Sequence, residues 1–443
     1  MKTVRRISRL KFDNAGSYFN SASIGISPYS DQRATANSAK KRSNSRANDF
    51  NWDEAVGIVQ EKFGKLLGQP TNTISIFHNT TAGVQRTLLR LGQLFGASEP
   101  TLLLTDLEYP GIVSAVDEEW PGRVVMASLC DLIWRGEVFR ITDKLKQCIR
   151  MARPSVVYIS HIARATGYRI EEEEIISFIR ATLPKTVIVI DGAQACGNIL
   201  VSKELLDEID IYVTSGHKWL SGKQTLGLVY AAEQWRLKDP AQSYSMTSVS
   251  TGTGSEEVIR SLQKSLTDLN GELTGDTAEA RMNEVEQHNG DLAEYFSGRL
   301  ASLGIAKHIA QGSEKRPPNR QAKAWKWNGI ATIVFDSPEV PMRLQKMNRT
   351  LEFTSLPNER WRDDLGGLAP GKRYCLDPDI VYSDPNKKDP FQPANFKEIH
   401  VPKLEGYVAR FCFHYYHSSD DVNNLISLIR EAAKHTKSLS RAG

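Results

Sequence analysis

The sequence lacks any long hydrophobic run. Nothing in it approaches the roughly 20 apolar residues of a transmembrane helix, so we expect no membrane-spanning segment. The basic N-terminus, residues 1–13, has no apolar stretch of the kind that a secretion signal contains. The five cysteines are scattered without the paired spacing of metal ligands, which favours a reduced, cytoplasmic protein with no metal site.

An excess of charge of one sign is also missing. With 56 basic and 52 acidic residues the net charge is +4, which gives no strong case for a nucleic-acid partner. Residues 311–328 combine basic side chains with two tryptophans, as nucleic-acid-binding segments do, but an exposed loop is the simpler interpretation. No G-x-G-x-x-G pattern follows an early strand, which argues against a nicotinamide-binding fold.

Three short apolar runs mark the region around which the chain is organised. They are Val187–Ile190, Ile209–Val213 and Leu226–Tyr230. Each is rich in β-branched residues and is bounded by Gly, Ser or Asp, which is typical of buried strands. Similar runs at 102–104, 156–160 and 331–335 and a helical periodicity at 31–67 extend the pattern, which predicts an α/β fold.

Polar residues stand directly after two of these runs. They are Asp191, Gln194, Ser215, His217 and Lys218. Because ligands bind at the carboxyl ends of strands in open α/β sheets, we expect these side chains to face one cleft. Burial and nearby cations lower the pKa of a lysine, which makes Lys218 a candidate Schiff-base amine. Pyridoxal phosphate needs such a lysine together with a carboxylate for its ring nitrogen, although strand ends also carry polar residues that have no function.

A site for an anion is predicted farther upstream. The predicted strand Thr73–Phe77 is followed by a turn rich in Thr and Asn and then by an amphipathic helix. Backbone amides and the helix dipole favour a phosphate at such a helix N-terminus. The alternative is that Asn79 or Thr80 only caps the helix.

The motifs D-G-A-Q-A-C-G at Asp191 and S-G-H-K-W at Lys218 resemble those of the class V aminotransferase superfamily. Within it they are most similar to the branch of cysteine desulfurases, isopenicillin N epimerase-like enzymes and carbon–sulfur lyases. The resemblance implies a fold type I pyridoxal-phosphate enzyme, with a large domain that holds a mostly parallel seven-stranded sheet flanked by helices. A smaller α+β C-terminal domain is also implied. The expected division is an N-terminal segment near the active site at 1–30, the large domain at 31–275 and the small domain at 276–443.

The resemblance also assigns roles to individual residues. Lys218 is expected to bind the cofactor and to act as the base beside His217, and Asp191 is expected to keep the ring nitrogen protonated. Gln194 is expected at the phenolic oxygen and Tyr109 on the face of the ring. The phosphate contacts are expected from Thr80, Thr81, Ala82, Ser215 and His217, and, across the interface of a homodimer with shared active sites, from Gly252 and Thr253. The substrate is expected to bind Asn20 and Arg410, whose guanidinium suits an α-carboxylate.

Three features depart from the family pattern. Ala82 stands in place of a glutamate, and Arg164 stands in place of an asparagine that reaches the phenolic oxygen. Arg164 is assigned to the cofactor pocket with three roles open: contact with that oxygen, contact with a substrate carboxylate, or an orientation away from the site. The loop before Arg410 has no cysteine, which argues against the persulfide mechanism of a desulfurase. Residues 363–395, rich in Gly, Pro, Asp and Lys, are interpreted as a long loop or lid.

Together these features predict a pyridoxal-phosphate enzyme that removes the α-proton of an amino-acid substrate. Elimination is the first expectation, aminotransfer the second and epimerisation the third, and decarboxylation stays open. A family member that has lost its cofactor and serves as a binding partner is the alternative from another class. The intact Asp191, His217, Lys218 and Arg410 argue against that alternative.

Overall fold

The computed structural model describes residues 4–12, 15–28, 51–95, 99–232, 235, 256–309, 325–335, 337, 339–347, 354–356, 373–376 and 407–439. The α-helices of this part of the chain are α1 (Trp52–Leu67), α2 (Thr80–Phe95), α3 (Pro110–Glu119), α4 (Cys130–Trp134), α5 (Ile141–Ala152), α6 (Glu172–Thr182), α7 (Lys203–Glu208), α8 (Glu256–Leu269), α9 (Ala278–Ser302), α10 (Glu339–Met347) and α11 (Ser419–Leu439). The strands are β1 (Ile74–Phe77), β2 (Thr101–Thr105), β3 (Arg123–Ala127), β4 (Val156–Ser160), β5 (Val187–Asp191), β6 (Ile211–Ser215), β7 (Gly227–Ala231), β8 (Ala306–His308), β9 (Ile330–Phe335), β10 (Thr354–Leu356), β11 (Arg373–Leu376) and β12 (Tyr407–Cys412).

Eight strands form one large sheet in the order β1-β7-β6-β5-β4-β2-β3-β11. The pairs from β6 through to β11 are parallel, and β7 is antiparallel to both β6 and β1. The predicted seven-stranded, mostly parallel sheet is therefore confirmed by β1 to β7. The eighth strand, β11, corrects the interpretation of residues 363–395 as loop throughout. Its four residues stand between Gly-, Pro- and Lys-rich stretches and gain strand structure only by pairing with the distant edge strand β3.

The central strands are apolar along their whole length because helices cover both faces of the sheet. Every residue of β2, β4, β5, β6 and β7 is buried. The predicted strand Val156–Ser160 coincides with β4, and β5 extends its prediction by one residue to Asp191. The predicted run Ile209–Val213 starts two residues too early, because β6 spans Ile211–Ser215.

Caps account for the ends of α1. Asn51 precedes it, and the Asn51 Oδ1 accepts the backbone N–H of Glu54 at 3.2 Å. Gly68 ends it in the left-handed conformation, with φ of 62°. The helix predicted at 31–67 is thus observed from Trp52 onward, and residues 31–50 lie outside the described residues.

A second sheet, antiparallel and ordered β10-β12-β9-β8, packs with α9, α10 and α11. Phe296 of α9 lies 5.0 Å from both Phe411 and Phe413, measured between ring centroids. The smaller α+β domain expected at the C-terminus is confirmed. Two helices lead into this domain, since α8 ends at Leu269 and α9 begins at Ala278. The boundary drawn at 275/276 stays a prediction.

The segment 15–28 connects the two sheets. The Phe19 carbonyl accepts the backbone N–H of Cys412 at 2.9 Å, and the backbone N–H of Gly25 donates to the His217 carbonyl at 2.6 Å. One end of the segment is therefore bound to β12 and the other to the loop that follows β6. None of the described helices is both long enough and apolar enough to cross a membrane.

Candidate active site

One cavity of about 400 Å³ opens at the carboxyl ends of β4, β5 and β6, beside the N-terminus of α2. Eight residues that the sequence assigned to the site line it: Thr80, Thr81, Tyr109, Arg164, Asp191, Gln194, His217 and Lys218. The assigned residues Asn20, Ala82, Ser215 and Arg410 are not among the lining residues, and Gly252 and Thr253 lie outside the described residues. The N-terminal segment adds three lining residues that sequence reasoning missed: Ala22, Ser23 and Ile24.

The N-terminus of α2 lies beside the cavity, where the sequence predicted an anion site. Asn79 caps the helix, since its Oδ1 accepts the Ala82 N–H at 2.8 Å. The Thr80 hydroxyl donates to the Thr214 carbonyl at 3.2 Å and ties the turn to β6. No residue that the structure describes accepts a hydrogen bond from the N–H groups of Thr80 or Thr81. These groups open the first turn of a 16-residue helix, where an anion is favoured, whereas the N–H of Ala82 is already taken.

Gly227, the first residue of β7, lets this turn approach the sheet closely. A Cβ atom at Gly227 would lie 2.3 Å from the carbonyl carbon of Asn79 and 2.7 Å from the backbone nitrogen of Thr80. Any other residue there would push the helix N-terminus away from the cavity. The local sequence L-G-L-V-Y predicts the strand, but it does not show why a glycine is needed at position 227.

Asp191 is the last residue of β5 and is held by two donors. Its Oδ1 accepts the backbone N–H of Ala193 at 2.8 Å, and its Oδ2 accepts the Tyr158 hydroxyl at 2.8 Å. Burial raises the pKa of Asp191, while these bonds and the charge of Lys218 oppose the rise. A buried carboxylate in this position is stabilised by a cation beside it. Tyr158, on the neighbouring strand, is a site residue that sequence reasoning did not find.

A second buried carboxyl, that of Glu108, lies close to the first. It accepts hydrogen bonds from the Thr105 hydroxyl at 2.7 Å and from the Ser160 hydroxyl at 2.5 Å. Burial raises the pKa of Glu108 to about 7, the bonds from Ser160 and Thr105 oppose the rise, and the charge of Asp191 adds to it. Since Ser160 lines the cavity and Tyr109 follows Glu108 in the chain, this carboxyl fixes two parts of the cavity wall.

Lys218 lies three residues after β6, with its Nζ 5.8 Å from the centre of the Tyr109 ring. Burial lowers the pKa of Lys218 to about 8; Asp191 opposes this change, and Arg164 and Arg410 reinforce it. An amine with such a pKa is neutral in a useful fraction of molecules near pH 7. It can therefore act as a nucleophile and as a base.

His217 and Ser215 form a polar pair next to the lysine. The Ser215 hydroxyl is 3.0 Å from Nδ1 of His217. Burial and then the charge of Lys218 lower the pKa of His217 to about 4. His217 is therefore neutral near pH 7, so it can hydrogen-bond to an anion but cannot balance its charge. Ser215 is buried and reaches the cavity only through His217.

Trp219 fixes the orientation of the Gln194 amide. The indole N–H can only donate, and it lies 2.9 Å from Oε1 of Gln194. Nε2 of the same amide donates to the Ala22 carbonyl at 2.8 Å and has a second N–H left for the cavity. Trp219 is itself fully buried and stacks on His414, with ring centroids 5.2 Å apart. The amide thus offers a donor, as the predicted contact to a phenolic oxygen requires.

Tyr109 and Arg164 meet at the edge of the cavity. The Arg164 Cζ lies over the Tyr109 ring, 5.1 Å from its centre, and the ring itself is 40% exposed. The aromatic face that the sequence assigned to a pyridine ring is therefore accessible and lies beside two cations, Arg164 and Lys218.

Arg410, predicted to bind the substrate, is 2% exposed. Its Nη1 donates to the Arg164 carbonyl at 2.9 Å, and its Nη2 donates to the Ser23 hydroxyl at 2.7 Å and to Oδ1 of Asn20 at 3.5 Å. Burial lowers the pKa of Arg410 to about 10, which leaves the side chain charged at neutral pH. The two residues assigned to the substrate, Asn20 and Arg410, thus contact each other, and their substrate role stays a prediction.

The N-terminal segment crosses the loop that carries Lys218. A Cβ atom at Gly25 would lie 2.0 Å from the backbone oxygen of Lys218. Only glycine permits this approach. The chain then places Ser23 and Ile24 in the cavity wall.

No cysteine thiol lines the cavity among the residues described. Cys130, Cys148, Cys196 and Cys412 are all buried. Burial raises the pKa of Cys196 to about 12 and also raises the pKa of Cys412, which disfavours the reactive thiolate form. The backbone of Cys375 lies on β11, five strands from β6 and so roughly 24 Å away at about 4.8 Å per strand.

These residues fit pyridoxal phosphate. The N–H groups of Thr80 and Thr81 suit its phosphate, Asp191 suits its ring nitrogen and the spare N–H of Gln194 suits its phenolic oxygen. Lys218 supplies the amine that would hold the cofactor covalently. The assignment of each residue stays a prediction.

Comparisons with known proteins bear on the family and the fold. The family model described as aminotransferase class-V matches residues 29–322. No curated protein is similar enough in sequence to match the chain.

Solved structures with the same fold include the cystine C–S lyase C-DES in complex with its reaction product cysteine persulfide, with 18% identity and a TM-score of 0.64 over 93% of this chain and 97% of that one. The apo cysteine desulfurase of Thermococcus onnurineus has 15% identity and a TM-score of 0.64, over 94% of each chain. The Escherichia coli cysteine desulfurase CsdA has 16% identity and a TM-score of 0.62, over 96% of this chain and 97% of that one. The chain therefore belongs to the class V aminotransferase family, and it is an enzyme of that family's pyridoxal-phosphate-dependent kind.

Proposed function

We propose that the protein is a lyase that eliminates a leaving group from the side chain of an α-amino acid. The observation that carries the proposal is the arrangement of Lys218, Asp191 and the open N-terminus of α2 around one cavity that no described cysteine lines. The lysine and the carboxylate serve α-proton removal. The missing thiol separates the reaction from that of a desulfurase.

Each residue has a defined part in the proposed reaction. The N–H groups of Thr80 and Thr81 bind the phosphate, and Asp191 holds a negative charge against the ring nitrogen. Bound pyridoxal phosphate supplies the electron sink for the pair of electrons left at Cα. The Nζ of Lys218, neutral in part at pH 7, takes the α-proton. The electron pair from Cα forms a Cα–Cβ double bond as the bond from Cβ to the leaving group breaks, and the leaving group departs with both electrons of that bond. Water then hydrolyses the unsaturated amino acid to a keto acid and ammonia.

The cysteines support elimination over desulfuration. A desulfurase needs a thiolate that can reach the substrate sulfur, and the described thiols are buried outside the cavity lining. Of the proteins that share the fold, C-DES is named a cystine C–S lyase, and the other two are named cysteine desulfurases. We place this chain with the lyase chemistry.

Aminotransfer is the second candidate. It needs the same proton to move from Cα to the cofactor, and the partly neutral amine of Lys218 can carry it. Epimerisation by two bases is less well supported, because burial and the charge of Lys218 lower the pKa of His217 to about 4. With this pKa His217 is a weak base. Among the described lining residues that leaves Lys218 as the main base.

We also propose that the protein is a homodimer located in the cytoplasm. The dimer rests on the resemblance of the sequence around Gly252 and Thr253 to a segment that reaches the partner's phosphate. Light scattering on the purified protein tests it, with an expected mass near twice the 49.5 kDa of one chain.

The function is tested by absorbance spectra of the purified protein. The spectra are recorded before and after a panel of amino acids is added. We expect a visible band that borohydride fixes onto Lys218, and a keto acid with ammonia as the products. Lys218→Ala should lose the fixed label and nearly all turnover. A pyridoxamine form instead of ammonia would favour aminotransfer, and an inverted substrate would favour epimerisation. If no band forms even when pyridoxal phosphate is added, the proposed function is wrong.

A further inference from the structure

A buried carboxyl and a hydroxyl meet at the wall of the cavity. Glu108 is 3% exposed and lies just after β2, and Ser160 is the last residue of β4 and lines the cavity. We propose that Ser160 donates a hydrogen bond to an oxygen of the bound pyridoxal phosphate, and that a proton on Glu108 sets this direction of donation. Ser160 is then a cofactor-binding residue, and Glu108 is the positioning residue behind it. The inference goes beyond the proposed function, because it holds for every reaction that the cofactor supports.

The hydrogen bonds of Glu108 fix where a proton sits on this carboxyl. Its Oε1 accepts the Thr105 hydroxyl at 2.7 Å and the Ser160 backbone N–H at 3.2 Å. The Thr105 hydroxyl in turn accepts the backbone N–H of Leu107 at 3.2 Å, which leaves its own hydrogen for Glu108. Two donors therefore point at Oε1, and the place for a carboxyl proton is Oε2.

A proton on Oε2 decides what Ser160 offers to the cavity. Oε2 lies 2.5 Å from the Oγ of Ser160. When Glu108 is ionised, the hydroxyl donates to it, and Oγ has only lone pairs for the cavity. When Glu108 is protonated, its O–H donates to Oγ, and the hydrogen of the hydroxyl turns to the open side. That side is the cavity, so protonation of Glu108 changes Ser160 from an acceptor to a donor.

The groups that face Glu108 from neighbouring strands favour its neutral form. Burial raises the pKa of Glu108 to about 7; the hydrogen bonds that it accepts oppose the rise, and the charge of Asp191 on β5 adds to it. Tyr158 on β4 stays neutral, since burial and the charges of both carboxyls hold its pKa well above the usual value. The charge of Lys218 favours the ionised form of Asp191. Of the two carboxyls, Glu108 is therefore the one that takes up a proton near pH 7.

The cofactor supplies an acceptor at this place. Ser160 pairs in register with Asp191 on the neighbouring strand, so both residues lie at the same edge of the sheet. Asp191 suits the protonated ring nitrogen, which cannot accept a hydrogen bond, so the acceptor for Ser160 is an oxygen of the cofactor. Because donation to that oxygen favours protonated Glu108, cofactor and proton strengthen each other's binding by the same factor.

The test is calorimetry with pyridoxine phosphate, which lacks the aldehyde and therefore binds without a covalent bond to Lys218. The full chain, freed of cofactor, is titrated at each pH unit from 6 to 10 in two buffers with different heats of ionisation, which gives the affinity and the proton uptake. At pH 7 about half of the Glu108 carboxyls are protonated, so Glu108 should add about 0.2 to 0.4 of a proton. The probe's own ring nitrogen and phosphate exchange protons equally in every variant, so only the difference from the wild type is read.

Two variants lock the pair in opposite states. Glu108→Gln imitates the protonated carboxyl, because its amide N–H groups donate where the O–H would and its oxygen still accepts. It should match the wild type at pH 6 and bind the probe roughly 2- to 5-fold more tightly at pH 8, where about one in eleven wild-type carboxyls is protonated. Ser160→Ala should weaken binding roughly 2- to 10-fold at pH 6. Both variants should lose the extra proton uptake at every pH.

Asp106 and Ser128 provide a matched control. Oδ1 of Asp106 accepts two backbone N–H groups, and Oδ2 accepts the Ser128 hydroxyl at 3.1 Å. Burial raises the pKa of Asp106 to about 6, with these hydrogen bonds opposing the rise. Ser128 is not among the described residues that line the cavity. Asp106→Asn and Ser128→Ala should therefore leave the affinity and the proton uptake as in the wild type.

Three results would overturn the inference. Ser160→Ala that keeps the full extra proton uptake would show that the cofactor acts on Glu108 through charge alone. Glu108→Gln that binds the probe no more tightly than the wild type at pH 8 would show that the proton does not control Ser160. A wild-type chain that does not bind the probe would remove the cofactor oxygen as the acceptor. A chain that passes this test but forms no keto acid loses the proposed lyase function and keeps the inference.

Discussion

The low pKa of Lys218 makes the amine far more reactive than an ordinary lysine. Burial lowers this pKa from 10.5 to about 8, with Asp191 opposing and Arg164 and Arg410 reinforcing the change. At pH 7 a lysine with the ordinary value is neutral in about 3 of 10,000 molecules, and one with a pKa of about 8 in about one of eleven. The neutral form of Lys218, which is the nucleophilic one, should therefore be roughly 300 times more populated than that of an ordinary lysine.

Opposite substitutions should move this pKa in opposite directions. Arg164→Gln removes a cation that disfavours the charged amine, so the pKa of Lys218 should rise. Asp191→Asn removes the carboxylate that favours the charged amine, so the pKa should fall below that of the wild type. Arg86→Gln, on the exposed side of α2, is the matched control and should change nothing.

Competitive acetylation measures the effect without the cofactor. Cofactor-free protein is labelled with trace acetic anhydride between pH 6 and pH 11, and mass spectrometry gives the labelled fraction of Lys218. Lys65, with a side chain that is 51% exposed, serves as the internal reference. A wild-type midpoint above pH 10 would refute the reasoning, and so would two substitutions that shift the midpoint in the same direction.

Three further predictions concern the residues around the site. Trp219→Phe leaves the buried Oε1 of Gln194 without its donor, so the free energy of unfolding should fall by about 2–4 kcal/mol in urea titrations. Gly25→Ala places a methyl group 2.0 Å from the carbonyl of the reactive lysine, so the purified variant should lose its visible band. Burial gives Glu108 a pKa of about 7 in the folded chain, above its ordinary 4.5. Protonated Glu108 therefore stabilises the folded chain fully below pH 4.5, and this contribution is lost as the pH rises through 7. Glu108→Gln should flatten this dependence of the free energy of unfolding on pH.

The Gly25→Ala prediction has a matched control. Gly57→Ala, on a helix position where no atom beyond the adjoining backbone of the same helix lies within 4 Å of the added Cβ, should keep the band and stabilise the chain by about 0.5–1 kcal/mol. If Gly25→Ala loads the cofactor as well as Gly57→Ala does, the close crossing at the lysine is wrong. Unchanged stability of Trp219→Phe would show that the Gln194 amide does not depend on the indole.

The part of the site that the sequence predicted is the part built from local patterns. A buried strand that ends in Asp191, and another that leads to Lys218, can be read from a dozen residues each, because apolar runs bounded by polar residues form such strands. The order of parallel strands then brings their ends together. The turn at Thr80, predicted to bind phosphate, is equally local, since it needs only a strand, a capping residue and a helix.

The parts that the sequence did not predict depend on contacts between distant segments. Tyr158 reaches Asp191 from the next strand, and no pattern within β4 marks that tyrosine as different from its neighbours. Ser23 enters the cavity wall because Arg410, nearly 400 positions later, holds it there. Strand β11 forms only because β3 offers a free edge, which composition alone does not reveal.

The contacts of the first residues with the last ones set the order in which the molecule can assemble. The Tyr18 carbonyl lies 2.9 Å from Nε2 of His417, and the Val4 carbonyl accepts the N–H of Ser419 at 3.0 Å. During synthesis the N-terminal segment must therefore wait until almost the whole chain has left the ribosome. The cavity gains its wall at Ser23 only at that stage, so a nascent or C-terminally truncated chain should not retain the cofactor.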